Sequence, residues 1–487
     1  MNLAAVLLGA AATAPDAPAL LDERGGRTTY RALADATAHL AAQLVDDGVA
    51  PGDRVALVSP NGPPFVVAYL ATLHAGAVSV PLHPTAPPAE LERQLAAVDA
   101  RTTLAAGSST PLATAAGRPV RAVDLDTLPD SAAPLVDRAD DDVAVLLFTS
   151  GTAGAPRAAM LTHANLAANI GQVQGHPGLA LRPDDVALGV LPCSHIFGLN
   201  VVLGCALAAG ASTLLVERFQ PAASARLAQR HGATVLAGVP TMFRDWLDSE
   251  ADAAPNDAFA SVRLAVSGAA ALPEPVAAGF RERFGVVVHQ GYGLTEASPI
   301  VSTTALGPTP PRPGSIGRPL PGLTVRLVDE DGADVLAGDP GEIWVRGPNV
   351  FAGYWEDPDA TARALAAGWL HTGDVAVVDE HEDLRLVDRR SDLILVGGFN
   401  VYPAEVEEAL RSHPDVADAA AVGEPSPRTG ETVVAYVVPA PGASPDPTDL
   451  VAHCGRAIAR YKCPTRVEVV GSLPRTAVGK VRRRSLR

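Results

Sequence analysis

A chain of 487 residues is too long for one hydrophobic core, and with 47% apolar residues it can fill two or three. Its 54 acidic against 38 basic side chains leave a net charge of −16, which excludes a general nucleic-acid binder but allows a local basic patch. Four cysteines, Cys193, Cys205, Cys454 and Cys463, lack paired metal-site spacing and fit a reducing cytoplasm, the expected location, rather than a disulfide framework.

In chain order, the opening Met1 to Leu8 imitates the apolar part of a signal peptide, but no basic residue precedes it, so it reads as an amphipathic first helix. Val55 to Val58, a helical stretch from Pro64 to His74 and Ala77 to Val80 then read as strand, helix, strand, a parallel βαβ unit. Leu147-Phe148 runs as a strand into Thr149-Ser150-Gly151-Thr152-Ala153-Gly154-Ala155-Pro156-Arg157. Behind this loop Thr162 can cap a helix with apolar Leu166, Ile170 and Val173. Val201 to Val216 is broken by Gly204, Gly210, Ser212 and Thr213, so it predicts a buried helix followed by a strand and no membrane span. The alternation returns at Thr234 to Leu236, Val262 to Val266, a helix from Pro273 to Phe284, and Val286 to Val288.

The segment 314–387 changes to short alternating runs such as Thr324 to Val328 and Glu342 to Val345, a β-rich subdomain. After Asp388-Arg389-Arg390-Ser391-Asp392, a charged joint that suits a hinge, the chain starts again with strands at Leu393 to Val396, Ala419 to Val422 and Val433 to Val438. Helices are expected at Glu405 to Arg411 and Leu450 to Arg460. The expected fold is therefore a large doubly wound α/β domain over residues 1–390, including that subdomain, and a small mobile α+β domain over 391–487.

Five stretches carry chemistry. The Thr149 to Arg157 loop offers backbone N–H groups, hydroxyls and a cation to phosphate oxygens, although an ordinary turn has the same composition. It is no Walker A loop, since no Lys-Ser or Lys-Thr follows the second glycine. Gln290-Gly291-Tyr292-Gly293-Leu294-Thr295-Glu296 directly follows a strand, where ligands of open α/β sheets sit. Tyr292 is able to stack on a base, Thr295 to bond a phosphate oxygen and Glu296 to hold magnesium; a solvated surface loop reads the same way. Gly368 to Asp374 ends in a carboxylate suited to ribose hydroxyls, and Asp388-Arg389 and Leu473 to Lys480 complete the set.

Together and in this order, these stretches resemble the adenylate-forming superfamily of acyl-CoA synthetases, coumarate-type ligases, luciferases and peptide-synthetase adenylation domains, over essentially the whole chain. The resemblance implies an ATP-dependent acid–thiol ligase. A carboxylic acid attacks ATP to give acyl-AMP and pyrophosphate, and coenzyme A then takes the acyl group. By position, Thr149, Ser150, Gly151, Thr152, Ala153 and Gly154 with Arg157 would hold the β and γ phosphates. Ser267, Gly268, Ala269, Ala270 and Gln290 to Tyr292 would form the adenine slot and acyl pocket. Thr295 would meet the α phosphate, Glu296 magnesium, and Asp374 the ribose, with Arg389 nearby. Lys480 would stabilise charge as the carboxylate attacks phosphorus, and His195 looks like the aromatic gate beside the carboxylate. Gly397, Gly398 and Phe399 resemble the glycine segment of a pantetheine tunnel, and Ser391 takes the hinge position. The chain departs from the pattern at Ala153 (usually Thr), Arg157 (usually Lys) and Ala158 (usually Gly); Arg keeps the charge with a wider donor fork.

Leu191 to His195 contains no Asp to pair an α-amine, which argues against amino acids. Short-acyl synthetases carry Trp where this chain has Gly293, so Gly291 and Gly293 imply a pocket open to a medium or long aliphatic chain or to an aryl group. With 4% aromatic residues and the aliphatic Val201-Val202-Leu203, a medium or long fatty acid is expected. From Arg456 to Arg487 ten Lys or Arg face a single acid, Glu468, a field for coenzyme A phosphates or simply a solvated face. Two alternatives stay open: a ligase loading a carrier-protein phosphopantetheine, and a non-catalytic binder of nucleotide or acyl adenylate.

Overall fold

The computed structural model describes residues 1–115, 119–149, 157–250, 255–306, 310–329, 331–389, 392, 394–396, 399–426, 430–458, 460–476, 479 and 481–486. The chain divides into two compact units, Met1–Thr324 with Val345–Leu370, and Val325–Trp344 with His371–Arg487. The division falls inside the β-rich segment 314–387. No helix among the described residues is long and apolar enough to cross a membrane.

The first unit contains two sheets. One orders its strands Ser315–Pro319, Ile300–Thr303, Val288–Gly293, Leu264–Ser267, Val235–Gly238, Val186–Gly189, Ser212–Leu215, Pro18–Asp22 and Arg27–Thr29. Its middle is parallel, with register pairs such as Val235↔Leu264 and Ser267↔Gln290, as the alternation of strand and helix predicts. The other runs Gly353–Tyr354, Arg157–Thr162, Val143–Thr149, Val78–Leu82, Arg54–Val58, Thr102–Ala105 and Val120–Ala122.

Side-chain alternation along Leu264–Ser267 separates two environments. Ala265 faces a cluster in which Phe243, Trp246, Phe259, Phe280 and Phe284 pack largely edge to face, with centroids 4.8–6.3 Å apart. Leu264 and Val266 instead border a narrow cavity of about 30 Å³ lined only by aliphatic side chains. The few aromatic residues are thus concentrated in packing.

Two expectations about elements are corrected. The glycine-rich loop does not lead into a helix: Thr149↔Arg157 and Leu147↔Ala159 pair antiparallel, so it joins two strands of a hairpin. Thr162 does cap the following helix, His163–Gly175, through a capping box with Asn165. The strand expected at Val286 to Val288 lies at Val288–Gly293, because Gly291 and Tyr292 pair with Thr303 and Ser302 of the next strand. Gln290 to Gly293, four of the seven residues of that motif, are therefore strand.

In the second unit Thr324–Val328, Gly341–Arg346, Trp369–Val378 and Leu384–Arg389 are neighbouring strands. The C-terminal sheet orders Phe399–Val401, Ile394–Val396, Gly430–Pro439 and Val416–Ser426, with Arg466–Val469 added parallel to Gly430–Pro439. Helices Pro403–Arg411 and Pro447–Ala457 bury Val406, Leu410, Leu450 and Cys454 in its core.

Candidate active site

Three parallel strands of the first unit end together, and their carboxyl ends present Gly238, Ser267-Gly268 and Gln290 to Glu296. This is the edge at which open α/β sheets bind ligands. Gly268 is closely packed there: a Cβ would lie 3.0 Å from Phe197 Cε1 and 3.3 Å from the Gly291 carbonyl. Ala269 follows with φ +67°, a left-handed conformation that costs a non-glycine residue and marks a strained turn. Ala269 and Ala270 are exposed. Ser267 Oγ is buried and has no hydrogen-bond partner among the described residues.

Gln290, expected at the adenine, is spent on the scaffold. Its Oε1 accepts from Leu272 N at 2.9 Å and its Nε2 donates to Ser315 O at 2.8 Å, so it pins the loop after Ser267. Tyr292 is buried. The two glycines differ: a Cβ on Gly293 would meet the Pro299 carbonyl oxygen at 2.1 Å, whereas one on Gly291 would meet only Val266 Cγ1, at 3.4 Å. Gly293 is thus demanded by a close backbone approach, and Gly291 is the position with room beside the aliphatic cavity.

The His195 backbone N–H donates to Pro192 O, and its ring Nδ1 accepts from Phe197 N at 3.2 Å. Burial pushes its pKa down to about 4, so at neutral pH the ring is uncharged and carries its proton on Nε2. A π-helix, Phe197–Gly204, starts here, a distortion frequent at functional sites. It brings Phe197 against Gly268 and supplies Val201 and Val202 to the cavity. Buried Asn200 ties it to Ser298 O at 2.7 Å.

Thr149 and Arg157 flank the glycine-rich loop, while Ser150, Gly151, Thr152, Ala153 and Gly154 lie outside the described residues. Arg157 is already paired: its Nε donates to Asp357 Oδ2 at 2.8 Å and its guanidinium lies 5.8 Å from the Tyr354 ring centroid. Asp357 also caps helix Pro358–Ala364 through Ala360 N. The Ala360 N–H, followed by Arg157, holds its carboxyl below the usual range. Tyr354 in turn donates its hydroxyl to Glu296 Oε1 at 2.7 Å, and burial, then Glu296, pushes the phenol pKa far up. Thr295 and Glu296 sit on the half-buried 3₁₀ turn Thr295–Ala297. Tyr354 and Asp357 were missed in the sequence; the signal available was an Asp-Pro helix start beside a Gly-Tyr pair.

In the second unit Asp374 is buried opposite Arg389 in register, and its N–H donates to Thr372 Oγ1 at 3.1 Å. Phe399 pairs with Val396 through the backbone. Ser391, Gly397, Gly398 and Lys480 lie outside the described residues. The chain on both sides of residue 480 is held: Arg475 bonds Gly479 O at 2.5 Å and Asp418, and Arg482 N bonds Pro474 O at 2.8 Å. Arg483 forks onto Glu407 at 2.9 and 3.0 Å and reaches Asp392 at 2.9 Å. Burial raises the Glu407 pKa, and Arg483 opposes that rise.

A magnesium ion carried with a triphosphate needs one or two carboxylates rather than a protein cage. Glu296 fits, because Tyr354 occupies one oxygen and no other described residue hydrogen-bonds the carboxylate. No group of three His, Cys, Asp or Glu suited to a metal occurs among the described residues.

Residues 8–355 match the family described as AMP-binding enzyme, and residues 405–480 that described as AMP-binding enzyme C-terminal domain. A feruloyl-CoA synthase from Amycolatopsis sp is 38% identical over 94% of this chain and 93% of its own. A long-chain-fatty-acid–CoA ligase from Yersinia pestis is 36% identical over 97% of this chain and 91% of its own. The structure of ATP-bound MatB from Rhodopseudomonas palustris matches with TM-score 0.92 at 32% identity, covering 100% of this chain and 98% of that one.

Proposed function

The chain belongs to the AMP-binding enzyme family, and from that premise we propose that it is an acyl-CoA ligase for medium- or long-chain aliphatic carboxylic acids. The reaction is AMP-forming: a carboxylate oxygen bonds to the α phosphorus of ATP as pyrophosphate leaves, and the thiol of coenzyme A then displaces AMP from the acyl carbon. The observation that carries the choice of acid is the narrow cavity lined by Val173, Leu179, Val201, Val202, Val266 and Ile300, without a polar or aromatic wall. Each methylene buried there contributes roughly 0.8 kcal/mol.

Within this reading Thr149 and Arg157 flank the loop for the β and γ phosphates, Thr295 meets the α phosphate, and Asp374 meets the ribose. Neutral His195, proton on Nε2, would serve as a donor toward the carboxylate without adding charge. Glu296 would hold magnesium, which draws charge from the triphosphate oxygens. Lys480 stabilises the charge that builds on the attacked phosphate, and Gly397, Gly398 and Phe399 take the pantetheine arm.

The test is pyrophosphate release with straight-chain acids from acetate to palmitate, together with ferulate and benzoate. We expect kcat/KM to rise with chain length beyond acetate and to be low for the aryl acids. A preference for an aryl or short acid would overturn the substrate assignment, and no release with any acid would overturn the activity.

A further inference from the structure

We propose that Tyr354 is a positioning residue for the ATP step, fixing Glu296 so that one carboxylate oxygen is reserved for the metal that travels with the triphosphate. The inference rests on the reading of the site given above. The 2.7 Å bond from the Tyr354 hydroxyl to Glu296 Oε1 fixes one end of a side chain that would otherwise rotate freely about its terminal bonds. The other oxygen has no hydrogen bond from any described residue.

The phenol is itself immobile. Tyr354 pairs with Ala159 and Gly353 with Met160, and Ala352 N and Trp355 N bond Met160 O and Ala158 O at 3.0 and 2.8 Å. Tyr354 N donates to Thr361 Oγ1 at 2.9 Å, and its ring packs edge-on against Phe351 at 5.0 Å. Gly353 permits this at φ +127°, where a Cβ would meet Thr361 Cγ2 at 2.6 Å.

The same segment also holds the glutamate's backbone. Phe351 N donates to Glu296 O at 2.9 Å and Asn349 Nδ2 to Ala297 O at 2.6 Å. Residues 349–354 therefore hold Glu296 at main chain and side chain while being hydrogen-bonded to the strand that leaves the phosphate loop. A buried hydroxyl needing any acceptor would explain the single bond; it does not explain a short strand that references the carboxylate to the loop across a sequence separation of 58.

The experiment is calorimetric titration of ATP into the parent protein and Tyr354→Phe, each with excess magnesium and with EDTA. We expect magnesium to tighten ATP binding by the parent, and Tyr354→Phe to lose about tenfold or more of that gain while its affinity in EDTA stays unchanged. Added to Glu296→Gln, Tyr354→Phe should cost nothing further, since the two act through one carboxylate. Equal affinities for parent and variant, or equal losses with magnesium and with EDTA, overturn the proposal and leave the ligase reading intact. A parent protein that binds no ATP in either condition overturns both.

Discussion

Acyl-chain selection should respond to residue 291 and not to residue 293. A Cβ on Gly291 would sit in ordinary contact with Val266 Cγ1, and Val266 lines the aliphatic cavity, so a larger side chain there starts at the cavity wall. In Gly291→Leu four carbons take the place of about four substrate methylenes, a loss of roughly 3 kcal/mol, or about two orders of magnitude in kcat/KM for long acids. Acetate and propionate should be spared. The Trp found at position 293 in short-acyl relatives suggests the neighbouring substitution, but at Gly293 even a methyl group collides with the Pro299 carbonyl, which also accepts Leu294 N at 3.1 Å. Gly293→Ala should therefore lower the melting temperature before it changes selectivity. Pyrophosphate release across the acid series, with thermal melts alongside, measures both. An unchanged chain-length profile in a folded Gly291→Leu protein would refute the pocket assignment, and a Gly293→Ala protein as stable as the parent would refute the steric argument.

Asp357→Asn keeps an acceptor for the helix cap and releases Arg157, so the apparent KM for ATP should fall severalfold at low salt; Arg157→Ala should raise it about tenfold or more. A KM unmoved in both variants would mean Arg157 never meets the phosphates. Gln290→Ala removes the bonds to Leu272 N and Ser315 O, so it should destabilise the protein by about 1–3 kcal/mol in urea unfolding while ATP affinity in the folded protein holds. Lys480→Ala should abolish acyl-AMP formation and spare thioester synthesis from supplied acyl-AMP. Ser391→Pro should show the reverse bias, because a fixed φ hinders rotation at the hinge; equal damage to both half-reactions in both variants would sink the alternating use of the C-terminal domain. Fully buried His163, whose Nδ1 accepts Leu3 N at 3.0 Å, has its pKa pushed down to about 4, by burial first and then Arg138. Between pH 6.5 and 4 the unfolded chain binds a proton there that the folded chain refuses, so stability should fall with pH by up to about 3 kcal/mol. His163→Gln should flatten that slope in urea midpoints taken at pH 7 and 5.

What the sequence disclosed depended on how local the determining contact is. The parallel strands around Val55, Leu236 and Val266 and the C-terminal helices announce themselves by apolar period, since each buries a face that its own residues define. The strand Arg157–Thr162 does not: Arg-Ala-Ala-Met-Leu-Thr has little β-branched character, and it is a strand because Val143–Thr149 lies beside it. Gly291 and Gly293 likewise read as loop residues, although one lies in a strand beside the cavity and the other ends that strand where two backbones nearly touch. The Arg157–Asp357 pair spans a sequence separation of 200, and no local pattern encodes it.

A motif in this chain therefore marks a place more reliably than a contact. In Gln290 to Glu296 only part of the stretch is free for substrate: Gln290 is consumed by Leu272 and Ser315, Gly293 by Pro299, and one Glu296 oxygen by Tyr354. Those internal contacts have a physical purpose. A carboxylate meant to hold a cation, or a loop meant to meet a developing negative charge, contributes most when its position is set beforehand, because reorganising dipoles during the reaction would cost part of the stabilisation. Holding such groups needs polar partners that never touch the substrate, drawn from whatever segment the fold brings near, here residues 349–357. The residues that make the site precise are for that reason scattered over the chain, while those that make it recognisable are contiguous.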